Sequence, residues 1–214
     1  MQQPAAPYPP TPVFPLTYTV EYPDRPLNRL STGLRFLWII PIGIILALVA
    51  EGTINTHGQG YFWGWAIGGV LFLPVVLMML FRQKYPRWWF DWNLNLTKFI
   101  VRVTAYAQLL RDEYPSTDEE QAAFVDFPYP DAMQLSRGLP LVKWLLAIPH
   151  WIVLWFLHIG AFIAVVIAWF SILFTGVYPR SLFDFVVGVN RWTLRVAAYA
   201  ILLTTDQYPP FSLD

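Results

Sequence analysis

Cysteine is absent from this chain of 214 residues. That excludes disulfides, thiolate zinc sites, iron–sulfur clusters and covalently attached c-type haem. Charge is nearly as scarce, at 13% of residues, about half the share usual in soluble domains. The formal net charge is +0, so no global field favours nucleic acid or an acidic substrate. No nucleophile elbow, Walker loop, zinc signature or paired-carboxylate motif is present, and the chain reads as non-enzymatic. Residues 1–15 are proline-rich and carry no Lys or Arg, and no apolar run follows until Leu34. A secretory signal is therefore not expected, and this stretch reads as a disordered, solvated tail.

What is present is apolar surface. Hydrophobic residues make up 56% and aromatics 18%, a membrane-protein composition. Three blocks suit a bilayer: residues 34–50, 62–81 and 139–175. The first two fit one span each, since a span takes about 20 residues. The third is too long for one, and the expectation is two short helices turning near His158, Ile159 and Gly160. A single long, tilted or kinked helix is the alternative. Residues 51–61 hold three glycines and no Lys or Arg and form a polar outer turn containing His57. Gly64, Gly68 and Gly69 offer a close helix-contact face. Every basic residue lies away from the two hairpin tips, so the positive-inside bias puts both termini and the central segment in the cytoplasm. Arg35 and Lys143 sit at the cytoplasmic ends of the spans, where they can snorkel. The spans hold almost no other ionisable residue, which argues against an ion pump or proton-coupled transporter.

The chain also repeats itself. Tyr85-Pro86-Arg87 matches Tyr178-Pro179-Arg180, and Phe90-Asp91 matches Phe183-Asp184. Lys98 and Arg102 match Arg191 and Arg195, and Ala105-Tyr106-Ala107 matches Ala198-Tyr199-Ala200. After one residue of slippage, Glu113-Tyr114-Pro115 matches Gln207-Tyr208-Pro209; upstream, Tyr22-Pro23-Asp24 resembles Tyr129-Pro130-Asp131. The halves are residues 16–115 and 122–214, joined by an acidic linker at 116–121, and they run in parallel. Alternating residues at 16–22 and 124–129 allow short strands that could pair across the two halves on the cytoplasmic side. The fold expected is thus an all-α integral membrane fold. It has two tandem repeats, each a transmembrane helical hairpin followed by an amphipathic interfacial helix, with room for short cytoplasmic strands.

In each half the helix after Tyr-Pro carries a polar stripe: Asp91, Asn95, Lys98 and Arg102, then Asp184, Gly188, Arg191 and Arg195. Charge at a bilayer centre costs roughly 2.5–3.5 kcal/mol per residue, so these helices are expected at the interface, their cations on anionic lipid headgroups. A sharper expectation is that Asp91 and Asp184 face the cations of the other half and close a ring of salt bridges. His150 and His158 bracket two helical turns in a Trp-rich setting. A neutral membrane histidine can ligate haem or a chlorin pigment, although neither histidine recurs in the first half. No other cofactor or metal is expected.

The run from Leu141 to Leu203, with Asp206 to Phe211, closely resembles a bacterial membrane family known as domain of unknown function 4389. Tyr178-Pro179-Arg180, Phe183-Asp184-Phe185 and Arg191 to Tyr199 carry the likeness, and the first half looks like a diverged copy. The resemblance implies a polytopic membrane protein with a repeated unit and no established activity. The expected function is a structural or accessory subunit of an inner-membrane complex, contacting lipids and other membrane subunits but no nucleic acid. The alternative is a lipid- or small-solute-handling transporter or channel that uses the groove between the repeats.

Overall fold

The computed structural model of the protein describes residues 14–50, 69–117 and 119–214. Most of the proline-rich tail, the outer turn with His57, Gly64, Gly68 and Asp118 lie outside them. Strand β1 (Thr17–Val20) is followed by a short helix α1 (Arg29–Gly33), the apolar helices α2 (Arg35–Ala50) and α3 (Gly69–Arg82), and the long α4 (Arg87–Ala107). The second half runs through β2 (Ala123–Asp126), a 3-10 turn at Leu139–Leu141, α5 (Lys143–Leu146), α6 (Ile148–Thr175) and α7 (Arg180–Ala200).

The two alternating segments pair. β1 and β2 are antiparallel, with Tyr18 directly opposite Val125. Each of these residues lies four positions before its Tyr-Pro pair, so matched positions of the two halves face each other. Alternation turns Tyr18, Ala123 and Val125 into the core and leaves Thr17, Thr19, Phe124 and Asp126 outside. Helices α4 and α7 have the same length, and each starts directly after a proline, Pro86 or Pro179. Proline suits that place, because no amide hydrogen is needed before the first helical turn. Both helices close on a leucine in the left-handed region, Leu109 (φ 63) and Leu203 (φ 56). Burial of both leucines holds this costly conformation. The single residue of sequence slippage falls here, at the end of α7.

Residues 139–175 do not form two short helices. After the turn at 139–141 and the four residues of α5, one continuous helix of 28 residues runs from Ile148 to Thr175, about 42 Å at 1.5 Å per residue. Pro149 lies in its first turn, where proline is tolerated. Beyond it no proline or polar run interrupts the helix. Gly160, the proposed turning point, is covered instead: a Cβ there would lie 3.4 Å from the Phe185 ring. The buried stripe of α6 runs through His150, Leu154, Ala161, Ala164, Ala168 and Ile172. Small residues on that stripe let neighbouring helices come close. Helix α7 packs near its start and α1 near its end, where Trp169 Nε1 donates to Thr32 O at 3.2 Å. The central core joins Tyr18, Val125 and Phe127 to Ile172, Val186, Val189, Leu110 and Leu203.

Candidate functional site

The contacts between the halves come in matched pairs. The Tyr22 hydroxyl donates to Tyr178 O at 2.5 Å, and the Tyr129 hydroxyl donates to Tyr85 O at 2.5 Å. Tyr22 stands edge-on to Phe183 at 5.0 Å, and Tyr129 edge-on to Phe90 at 5.2 Å. The Arg180 guanidinium lies 4.7 Å from the Tyr22 ring, and that of Arg87 lies 5.5 Å from the Tyr129 ring. Each Tyr-Pro-Arg turn is thus bolted to the Tyr-Pro segment of the opposite half by a hydrogen bond, an aromatic edge and a cation on a ring face. One difference breaks the match: the Tyr85 hydroxyl donates to Leu202 O at 2.6 Å, whereas the buried Tyr178 hydroxyl has no partner among the described residues.

A second pair of clusters lies within the halves. Arg35 is buried, ion-paired to Asp112, and donates to Tyr106 O and Arg111 O at 2.9 Å each. Its guanidinium lies 4.4 Å from the Tyr106 ring centre. Lys143 is fully buried, 2.7 Å from Asp206 Oδ1, donates to Thr205 O at 2.7 Å and lies 5.2 Å from the Tyr199 ring centre. Each Asp also accepts a backbone N–H, Asp112 from Asn28 at 2.7 Å and Asp206 from Ser136 at 2.6 Å. Burial pulls the Lys143 ammonium below the ordinary lysine range, and Asp206 opposes that shift. Arg35 and Lys143 therefore do not snorkel. Each ties the entry of a half to the segment after that half's amphipathic helix, because its charge finds a carboxylate and carbonyls inside the protein. The signal was in the repeat: the slippage that aligns Glu113 with Gln207 also aligns Asp112 with Asp206.

The expected ring of salt bridges is not formed. Asp184 pairs with Arg180 of its own helix at 3.2 Å, both groups well exposed, and Asp91 is exposed. Helices α4 and α7 meet strands and tyrosine turns of the opposite half, not its cations. The stripe cations mostly bind backbone. Arg102 donates to Ser116 O at 2.7 Å; Arg191 donates to Leu213 O at 3.0 Å and Tyr18 O at 3.4 Å. Arg195 donates to Ser212 O and Asp214 O. Lys98 is half-buried. Gly188 completes this seat for the C-terminal segment, since a Cβ there would lie 2.9 Å from Leu213 Cβ. Asn190, absent from the sequence expectations, exchanges two hydrogen bonds with Gln108 across the halves, at 2.5 and 3.3 Å.

The two histidines differ in kind. His150 is buried, stacked on Phe211 at 3.9 Å, and its Nδ1 accepts from Trp192 Nε1 at 3.0 Å. The indole nitrogen only donates, so the Nδ1 lone pair is engaged and a neutral ring carries its proton on Nε2. His150 packs as a core residue, with Nε2 buried and without a hydrogen-bond partner among the described residues. His158 is exposed, with Nδ1 2.7 Å from Leu154 O and Nε2 3.5 Å from Thr193 Oγ1. The described residues contain no group of three or more His, Asp or Glu that could hold a metal ion.

Burial sets the acid–base behaviour of the tyrosines at the join. It pushes Tyr18 up to about 12, against smaller opposing effects of Asn190 and Arg191, and it raises Tyr85 and Tyr178 well above the usual phenol range. A raised phenol favours the folded state while it stays protonated. That stability is intact below about pH 10 and is lost as pH climbs from 10 through 12. The melting temperature followed over that range, with tyrosinate absorbance in parallel, should show cooperative unfolding coincident with ionisation.

The segment from α5 through α7 to Phe211 holds both the Lys143–Asp206 pair and the Tyr178-Pro179-Arg180 turn. Residues 140–212 match the family model described as "Domain of unknown function (DUF4389)". No curated protein and no solved structure matches the chain. The matched segment contains α6, the one helix among the described residues that is long and apolar enough to cross a membrane.

Proposed function

We propose that the chain is a non-enzymatic, multi-pass membrane protein of two tandem repeats, with both termini in the cytoplasm, acting as a structural or accessory subunit of a membrane complex. The observation that carries this is the outer face of α6. Its inner stripe is committed to α7 and α1, while Ile152, Trp155, Phe156, Phe162, Ile163, Ile167 and Phe170 stand exposed along it. An apolar surface of that length on a helix has to be covered by lipid or by protein. The polar groups at the join are turned inward on one another, as in a rigid support rather than a reaction site.

Fractionation with salt and urea washes should leave the chain in the membrane pellet, and purification in mild detergent should retain a stoichiometric larger partner. Ile163→Lys, which places a charge midway along the exposed face, should lower membrane recovery and release the partner. Recovery in the soluble fraction would sink the membrane reading. A monodisperse homo-oligomer carrying lipid between its repeats would favour a transporter instead.

A further inference from the structure

The matched halves diverge at the residue that ends the helix before each Tyr-Pro turn. Gly176 ends α6 in the left-handed region (φ 79), and Gln83 holds the same place after α3 (φ 45). Glycine takes that conformation freely, whereas a residue with a side chain is strained there. Gly176 is also crowded: a Cβ would lie 3.3 Å from Pro26 Cβ, and Leu27 N donates to Gly176 O at 2.8 Å. At the first half's turn the corresponding segment is residues 130–134 of the second half. Met133 stands 77% exposed, and a cavity of about 420 Å³ opens between Gln83–Tyr85 and Tyr129–Ala132.

One cation lines this opening and two more contact residues that line it. Lys84 lines it, where the second half has Val177. Arg137 donates to Gln83 Oε1 at 2.8 Å, which uses the side chain that the strained position retains. Arg87 lies over the face of Tyr129, another lining residue. The one carboxylate there, Asp131, is already engaged by Met133 N and Gln134 Nε2 at 3.0 Å each. Two exposed aromatics flank the turn, Phe81 at 75% near the end of the apolar α3 and Trp88 at 64% in the first turn of α4. Cations next to Trp at the end of an apolar helix suit the headgroup depth of a bilayer.

We propose that this cavity binds the phosphate of an anionic glycerophospholipid, with Lys84, Arg87 and Arg137 supplying the charge and Phe81 and Trp88 meeting the acyl side. The proposal rests on the membrane reading above. The test titrates the purified full-length chain with dioctanoyl phosphatidylglycerol, dioctanoyl phosphatidylcholine and inorganic phosphate, read by Trp fluorescence. Phosphatidylglycerol should bind saturably and at least tenfold tighter than phosphatidylcholine. Lys84→Val with Arg137→Ala should weaken it tenfold or more, and Arg25→Ala, an exposed cation of the other Tyr-Pro segment, should leave it unchanged. Lys84→Gln provides a milder variant if the double one melts early. Equal binding of the two lipids, or an unaffected double variant, overturns the proposal. Inorganic phosphate binding as tightly as the lipid overturns the lipid assignment. A chain recovered in membranes without lipid preference sinks this site alone, whereas a chain recovered in the soluble fraction sinks the membrane reading with it.

Discussion

Asp206→Ala should lower the unfolding free energy by about 3 kcal/mol, the scale of breaking a buried pair by removing one partner. Lys143 is fully buried and would keep only Thr205 O and the Tyr199 face. The matched Asp112→Ala should cost less, because Arg35 keeps two carbonyl acceptors as well as the Tyr106 face. Lys143→Met should also be milder than Asp206→Ala. Asp206 keeps 22% of its side-chain surface, and its Oδ2 still accepts from Ser136 N, so a backbone donor still reaches the orphaned carboxylate. Denaturant unfolding of the three variants in one detergent gives the order. If Asp206→Ala proves as mild as an exposed ion-pair loss, under about 1 kcal/mol, the pair does not hold the second half to its tail.

His150→Ala should cost about 3 kcal/mol, from the lost packing of a buried ring together with an orphaned Trp192 N–H. His150→Phe separates the two contributions. It keeps the stack on Phe211 and loses only the acceptor for Trp192 Nε1, and should cost about 1–2 kcal/mol. Thermal or denaturant melts of both variants check this, and near-ultraviolet circular dichroism of Trp192 should change in both. Equal losses would mean that the hydrogen bond carries the whole effect.

Much of the fold was legible in the residues. The strands at 17–20 and 123–126 follow from period-two alternation, and α4 and α7 from a polar stripe opposite an apolar face after Tyr-Pro. Such patterns act over a few residues, so they survive whatever the chain does elsewhere. The matched Tyr-Pro turns were legible too, and they lie at the join. Length arithmetic misled at residues 139–175. It asked how much helix a bilayer holds, while Gly160 and the alanines of α6 had been set by the fit of α7 and α1.

The sequence by itself determined the scarcity of charge, the apolar blocks, the repeated Tyr-Pro helices and the absence of thiol chemistry, because composition and short-range periodicity are properties of neighbours along the chain. Only the tertiary structure decided which acid meets which cation: Asp112 and Asp206, rather than Asp91 and Asp184, partner cations of another segment. It also decided that His150 faces Trp192, that Arg102, Arg191 and Arg195 reach backbone carbonyls, and that one Tyr-Pro turn is crowded at Gly176 while the other borders a cavity. The physical reason is the same each time. A charge or ring leaving water takes the partner that the packed helices bring within about 3 Å, and most of these partners lie tens of residues away in sequence.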